Sequence, residues 1–349
     1  MQRLSDTARL PMDTRVATIG MFDGVHLGHA TLVEALKQEA GSRGLRSLVV
    51  TFNRHPQHVL SASDAPVRML QTLDDRLRAI EALQPDELLV LDFDRTLADT
   101  NSQAFMQRLH DHYGVSTLVV GYNHRFGHDQ PMPLNEYAAL GQEVGVTVVK
   151  APEYLGEYAP VSSTIVRGLI AAGKVSDAMH CMGRPYRLAG TVVHGFHNGR
   201  GIGFPTANVG NIDPTLILPH NGAYAVLVHL DGSTHQGMVN VGTRPTLDNG
   251  MQLSIEVNIF DFDGDIYGHP IALDFIGFLR LEFKLGSIEE LRQQLTRDRE
   301  KSRAILFKMQ DARCEMANAR VEPHPGAADG RVNEKREQRT ENKARRLEK

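Results

Sequence analysis

The chain has 349 residues, with 38 basic and 42 acidic side chains (formal net charge −4), and is 41% apolar and 23% charged. Such composition and length suit a globular protein of two or three domains, and the near-neutral charge argues against a protein built to coat nucleic acid. Two cysteines, Cys181 and Cys314, cannot build a disulfide scaffold, no apolar run is long enough for a membrane span, and the opening MQRLSDTARLPMDTR has no apolar signal core, so a cytoplasmic protein is expected.

In chain order, residues 15–22 read as a buried strand, 29–40 carry helical apolar spacing, and 45–52 read as a second strand. A helix capped by Thr72 is predicted over 73–83, and 102–113 reads as another. Short apolar runs at 87–93, 117–121 and 146–150 complete an alternation of strand and helix. This pattern predicts a doubly wound, Rossmann-like α/β domain, whose ligands bind beyond the carboxyl ends of its strands. After about residue 184 the texture changes to β-rich pieces at 186–194, 223–230, 236–241, 252–260 and 271–278, parted by Gly, Pro, Asn and Asp. These predict a small antiparallel β-barrel, closed by one helix over 287–309. The boundary is expected at 183–185, giving domains over 1–183 and 184–311. Residues 312–349 are expected to be a charged tail, disordered or a solvated helix. Its last twenty residues hold eight Lys/Arg and four Asp/Glu, so a local +4 leaves −8 on the rest of the chain.

The most informative stretch is 19–29, IGMFDGVHLGH. It starts in a strand, turns at Asp23-Gly24 and opens a helix at His26-Leu27-Gly28-His29. Two imidazoles and the unpaired N–H groups of a helix start then share one spot, which is an anion site. Gly28 lets a phosphate approach the backbone without a Cβ in the way, and paired histidines can donate hydrogen bonds to charge developing on phosphorus. A helix cap, or a metal pair at i, i+3, would use the same residues, although neither HExxH nor a third ligand stands nearby. Ser162, Ser163 and Thr164 form a second helix start before IVRGLIAAG, with Arg167 one turn inward; a plain Ser/Thr cap is the alternative there.

A different chemistry is written into 190–208, GTVVHGFHNGRGIGFPTAN. Its glycines at 195, 199, 201 and 203 are too many for one short hairpin and suggest a loop folded over a polyphosphate, yet the Walker pattern is absent. Thr206 and Asn208, two apart in an extended segment, present oxygens on one side and suit Mg²⁺, which takes few protein oxygens. A buried hydrogen-bonded pair is the alternative.

FDGVHLGH resembles the HxGH signature of nucleotidylyltransferases in the variant carried by bacterial bifunctional FAD synthetases. TFNRHP (51–56), GYNHRFG (121–127) and VSSTIVR (161–167) resemble that family's further motifs in order, with Arg54, Asn123 and His124 as departures. The glycine-rich stretch resembles the riboflavin kinase motif of the same family. So do LILPHNGAYAV (216–226), VNVGTRPTLDNG (239–250) and the strand-turn-strand region 255–280. The resemblance covers roughly residues 10–310. It implies a nucleotidylyltransferase domain followed by a riboflavin kinase domain, converting riboflavin with ATP to FMN, and FMN with ATP to FAD and pyrophosphate. It further implies His26 and His29 on ATP phosphates. Phe22, Asp23, Gly24, Gly28, Ser163, Thr164 and Arg167 fall on the nucleotide, and Asn123 and His55 on the substrate side. In the second half it implies Gly195, Arg200, Gly201 and Gly203 on nucleotide, Thr206 and Asn208 on Mg²⁺, Glu256 as general base for the riboflavin hydroxyl, and Arg280 on phosphate or flavin. Partners are then small molecules, with neither membrane nor nucleic acid, and a homo-oligomer stays open.

Two motif look-alikes carry less. DFDRT (92–96) mimics the DxDxT nucleophile motif of haloacid-dehalogenase-like phosphatases, without that family's later motifs. Asp261, Asp263 and Asp265 mimic a calcium loop, but Ile266 and Ala272 stand where Gly and Glu are needed. A flavin-binding protein that lost turnover, or an enzyme with one decayed half, would keep the same motifs.

Overall fold

A computed structural model describes the chain except residues 8, 61–66, 122–125, 130–131, 195–200, 202, 246–250, 284–285 and 320–349, and the side chains of 244–245, 251–253 and 312–319. Residues 1–306 form one compact unit and 307–349 a second.

The first half is built from strands β1 (Gln2–Leu4), β2 (Arg15–Ile19), β3 (Arg46–Phe52), β4 (Glu87–Leu91), β5 (Val115–Val120) and β6 (Thr147–Lys150). Its helices are α1 (Leu27–Arg43), α2 (Gln57–Leu60), α3 (Leu73–Glu81), α4 (Arg95–Ala98), α5 (Ser102–Tyr113), α6 (Leu134–Glu143), α7 (Ser163–Ala171) and α8 (Val175–Met182). The strands pair in parallel in the order β1-β4-β3-β2-β5-β6. Alternate side chains feed two cores, as the pleat requires. Val16, Val49 and Leu88 pack with Leu32, Leu36 and Ile80 of α1 and α3, while Ala17, Ile19, Leu48 and Val50 pack with Phe105, Met106 and Leu109 of α5. Strand order reverses between β2 and β5, so a crevice opens beyond Ile19 and Val120. At the opposite end, Arg15 donates to both oxygens of Glu87 at 2.5 and 3.0 Å, and Arg46 adds a third bond.

The second half comprises β7 (Tyr186–Val193), β8 (Ala207–Gly210), β9 (Gly222–Leu230), β10 (Ser233–Pro245), β11 (Met251–Ile259) and β12 (Pro270–Arg280), then helix α9 (Ile288–Ala319). The strands close a barrel in the order β10-β11-β8-β7-β12-β9. Its interior, with Leu188, Val226, Val257 and Phe275, continues into α7 and α8 through Val166, Ile170, Ala178 and Met182 as one core. A short bridge also joins the halves: the Met69 and Ile217 amides donate to the Thr215 and Met69 carbonyls at 2.8 and 2.9 Å. The doubly wound sheet and the barrel are thus as expected. Strand β2 stops at Ile19, short of the predicted 22, because Phe22 takes φ 52° and turns the chain. Helix α9 runs to Ala319, beyond the predicted 309.

Candidate active sites

The crevice at the switch point holds the first site. His26 caps α1: its Nδ1 accepts the His29 N–H at 3.3 Å, which leaves its own proton on Nε2. The two imidazoles stack with centroids 3.7 Å apart. Burial lowers both, with the neighbouring Arg184 and, for His26, Arg167 adding to it: His26 is brought down to about 4 and His29 well below the usual histidine range. At neutral pH the pair is uncharged and presents hydrogen-bond donors rather than cations. His29 Nδ1 is buried with no partner among the described residues.

A second helix start faces the first. Ser162 caps α7, its Oγ accepting the Ile165 N–H at 3.3 Å. Ser162, Ser163 and Thr164 line a cavity of about 270 Å³ with His26, Gly28, His29, Gly121 and Tyr154. Seven residues singled out in the sequence therefore converge, if Gly121 of the GYNHRFG motif is counted with His26, Gly28, His29, Ser162, Ser163 and Thr164. Gly28 has a reason beyond the one expected: a Cβ there would stand 3.2 Å from His26 Nδ1 and crowd the cap.

Phe22, Asp23, Gly24 and Arg167 are not among the residues lining this cavity. Phe22 is fully buried, its ring 5.0 Å from that of His29. The Asp23 carboxylate accepts the Leu70 N–H at 3.0 Å and the Arg167 Nε and Nη2 at 3.3 and 3.2 Å; burial raises its pKa, and Arg167 opposes the rise. Ser163 Oγ donates to the Asp23 carbonyl at 2.8 Å, tying α7 to the turn. Gly24 takes φ 83°, and a Cβ there would lie 2.6 Å from Leu70 Cδ1, so glycine is required. His55 stands in the TFNRHP turn and is lowered to about 4 by burial, then by Arg167, His58 and Arg76. Asn123 lies outside the described residues. Of the phosphatase look-alike, Asp94 caps α4 and Asp92 accepts from Asn53, both structural duties.

The barrel carries the second site. Glu256 of β11 stands in register between Asn208 of β8 and Asn240 of β10, and Ser254 Oγ donates to its Oε1 at 2.9 Å. Thr206 immediately precedes β8, the strand that carries Asn208. Gly203 takes φ 78°, and a Cβ there would meet nothing within 4 Å. It lines a cavity of about 300 Å³ beside Arg299 and Arg303. Gly201 is exposed, and Gly195 and Arg200 lie outside the described residues. Arg280 is committed to Asp298 of α9 at 2.8 Å, with its guanidinium over the Phe283 ring. Among the described residues there is no cluster of three His, Cys, Asp or Glu for a metal; Thr206 and Asn208 offer neutral oxygens to a cation, with the carboxylate-bearing Glu256 paired to Asn208.

Three participants escaped sequence reasoning. Arg184 donates to the Val25 and Gly24 carbonyls at 2.8 and 2.6 Å. Arg76, fully buried and lowered to about 10 by that burial, donates to the Phe52 carbonyl beneath the TFNRHP turn. Asn240 flanks Glu256 and donates to Glu282 at 3.1 Å. Only Asn240 left a trace, lying inside a motif already singled out.

An FAD synthetase family model matches residues 11–165 and a riboflavin kinase model residues 182–306. The bifunctional riboflavin kinase/FMN adenylyltransferase of Listeria monocytogenes is 35% identical over 298 residues, 85% of this chain and 94% of that protein. Its namesake from Escherichia coli K12 is 33% identical over 299 residues, 84% of this chain and 94% of that one. A solved structure described as a macrolide-efflux protein from Streptococcus pneumoniae superposes with a TM-score of 0.76 at 30% identity, covering 87% of this chain and 99% of that one. No helix among the described residues here is long and apolar enough to cross a membrane.

Proposed function

The chain belongs to the family of bifunctional riboflavin kinase/FMN adenylyltransferases, and from that premise we propose how its residues divide two successive reactions. Residues 184–311 phosphorylate riboflavin with ATP to give FMN. Residues 1–183 transfer the adenylyl group of a second ATP to FMN, giving FAD and pyrophosphate, and residues 312–349, of which those up to Ala319 continue α9, are assigned to neither reaction. The observation that carries the reading is the convergence of two helix starts, at His26–His29 and Ser162–Thr164, on one cavity at the switch point.

For adenylyl transfer, an FMN phosphate oxygen attacks the ATP α-phosphorus as the bond to the bridging β-phosphate oxygen breaks, and pyrophosphate departs with its electrons. No residue need form a covalent bond. The neutral imidazoles donate hydrogen bonds to the charge gathering on the phosphates, and the amides of α1 and α7 hold them in place. Ser163 and Thr164 serve the leaving side, with Arg167 behind them through Asp23. Phe22 and Gly24 shape the turn, and Asn123 and His55 face FMN.

In the barrel, the riboflavin primary hydroxyl attacks the ATP γ-phosphorus as the bond to the β,γ-bridging oxygen breaks and ADP leaves with its electrons, while Glu256 takes the hydroxyl proton, its carboxylate fixed by Ser254. Gly195, Arg200, Gly201 and Gly203 belong to the nucleotide side, and Arg280 braces the flavin side. Thr206 and Asn208 would hold Mg²⁺, which when bound neutralises charge on the transferring phosphate. The enzyme works in the cytoplasm on small molecules alone.

The two halves are separated by assaying His29→Ala and Glu256→Gln with riboflavin, ATP and Mg²⁺. His29→Ala should still form FMN while FAD formation falls on the order of 100- to 1,000-fold. Glu256→Gln should adenylate supplied FMN at the parent rate while phosphorylating riboflavin at least about 100-fold more slowly. Flavin binding with no product from the parent chain, or full activity in both variants, would sink the assignment.

A further inference from the structure

The turn that delivers His26 and His29 has an unusual backbone. Phe22, Gly24 and Val25 have φ of 52°, 83° and 35°, and a β-branched valine stays in that region only when its surroundings hold it there. Residues from distant parts of the chain do so. Leu70 and Arg167 grip the Asp23 carboxylate, and Ser163 holds the Asp23 carbonyl. Arg184 completes the set, giving Nη2 to the Gly24 carbonyl at 2.6 Å and Nη1 to the Val25 carbonyl at 2.8 Å. It sits inside the segment matched by the riboflavin kinase family, not the FAD synthetase one. Its neighbour Gly183 presses on the same place: a Cβ there would stand 3.0 Å from Leu27 Cδ2, in the first turn of α1.

We propose that Arg184 is a positioning residue for adenylyl transfer, lent to the N-terminal site by the kinase-family segment: its guanidinium clamps the Gly24 and Val25 carbonyls so that His26 and His29 face the nucleotide phosphates. This rests on the reading of the His26–His29 cavity given above. Two observations set the clamp apart from plain packing. A planar fork directs its donors at consecutive carbonyls of one turn, a geometry that neither an ammonium nor an apolar chain reproduces. Moreover, among the described residues Arg184 bonds only to carbonyls, the third being that of Met182, and makes no ion pair. Asp274 and Asp75 act on its charge only from beyond ion-pair distance, against burial and Arg187, and the guanidinium lies close enough to lower both imidazoles.

The test uses the full chain with Arg184→Met and Arg184→Lys, following FMN and FAD formation separately and the imidazole titrations by NMR. In Arg184→Met, kcat for FAD formation should fall about 100-fold with a smaller change in KM, since misplacing reacting groups by an ångström costs that much. FMN formation should stay at the parent rate, and His26 and His29 should titrate higher once the cation is gone. Arg184→Lys restores the charge but not the fork, so the titrations should return towards those of the parent while kcat recovers only in part. Parental FAD formation in Arg184→Met, or an equal loss of FMN and FAD formation in both variants, overturns the clamp. His29→Ala run alongside tells the two readings apart. If it loses FAD formation while Arg184→Met keeps it, the clamp alone is wrong; if both keep it, the site reading falls as well.

Discussion

His26, His29 and His55 are all pushed below the ordinary histidine range, and in each the largest cause is burial that disfavours the charged ring. In the unfolded chain the same rings bind protons as the pH falls through about 6.5, while in the folded chain His26 and His55 stay neutral to about 4 and burial likewise holds His29 well below its ordinary value. Below 6.5 the unfolded state therefore holds more protons, and stability must decline as the pH drops from 6.5 towards 4. Denaturant unfolding followed by circular dichroism should show a lower midpoint at pH 5.0 than at pH 7.5. The His26 and His55 rings should still read as neutral by NMR at pH 6. A midpoint that held steady, with either ring half-protonated near 6.5, would contradict the burial argument. The chemistry-bearing residues could be read from the sequence because they are contiguous: IGMFDGVHLGH carries turn, cap and both imidazoles in one string. What holds them could not be read. Arg184 touches Gly24 and Val25 from 160 and 159 positions away, and a lone arginine beside a proline carries no signal of its own.

The loop after β5 shows how one backbone position can govern an element. Gly127 takes φ 80°, and a Cβ there would lie 2.5 Å from the Ser102 backbone N, at the first residue of α5. Around it Ser102 Oγ donates to the Phe126 carbonyl at 2.9 Å, the Ser102 N–H to Asp129 at 2.6 Å, and the His128 N–H to the Thr100 carbonyl at 3.0 Å. Gly127 is thus needed for docking on a helix start. Gly127→Ala should cost about 1–2 kcal/mol from backbone conformation alone, more once Ser102 is displaced. With Asn123 of this loop proposed on the FMN side, the variant should slow FAD formation at least about tenfold, with FMN formation unchanged. Thermal melting and the paired assays decide it, and an alanine variant with parental FAD output would show that the loop does not depend on this docking. Elements with strong periodicity were predicted closely, α5 over 102–113 most of all. Strand β1 has only three residues, and α6 and α8 have short apolar faces, so tertiary contacts rather than local pattern decide them.

At the scale of the whole molecule, the order of strands around the barrel separates the two reactions. In the ring β10-β11-β8-β7-β12-β9, β11 stands three places from β12, so the two strands lie on opposite sides. Helix α8 packs against β12 and β7, whereas Glu256 rides on β11 beside Asn208 of β8. Glu256, the base proposed for riboflavin phosphorylation, therefore stands on the side of the barrel away from the helix that joins it to the parallel sheet. Among the described residues, those lining the cavity at His26 and His29 fall within 26–164. On that separation of the two proposed sites, FMN is expected to pass through solvent between the steps. Labelled riboflavin supplied with ATP, Mg²⁺ and an excess of unlabelled FMN should then yield FAD whose label is diluted in proportion to the added FMN. A mixture of His29→Ala and Glu256→Gln chains, each blocked in one step, should regain conversion of riboflavin to FAD after a lag while FMN accumulates. Undiluted label in FAD, together with no recovery on mixing, would mean that FMN is handed on without release, and the path around the barrel would have to be closed by something other than this chain's own strands.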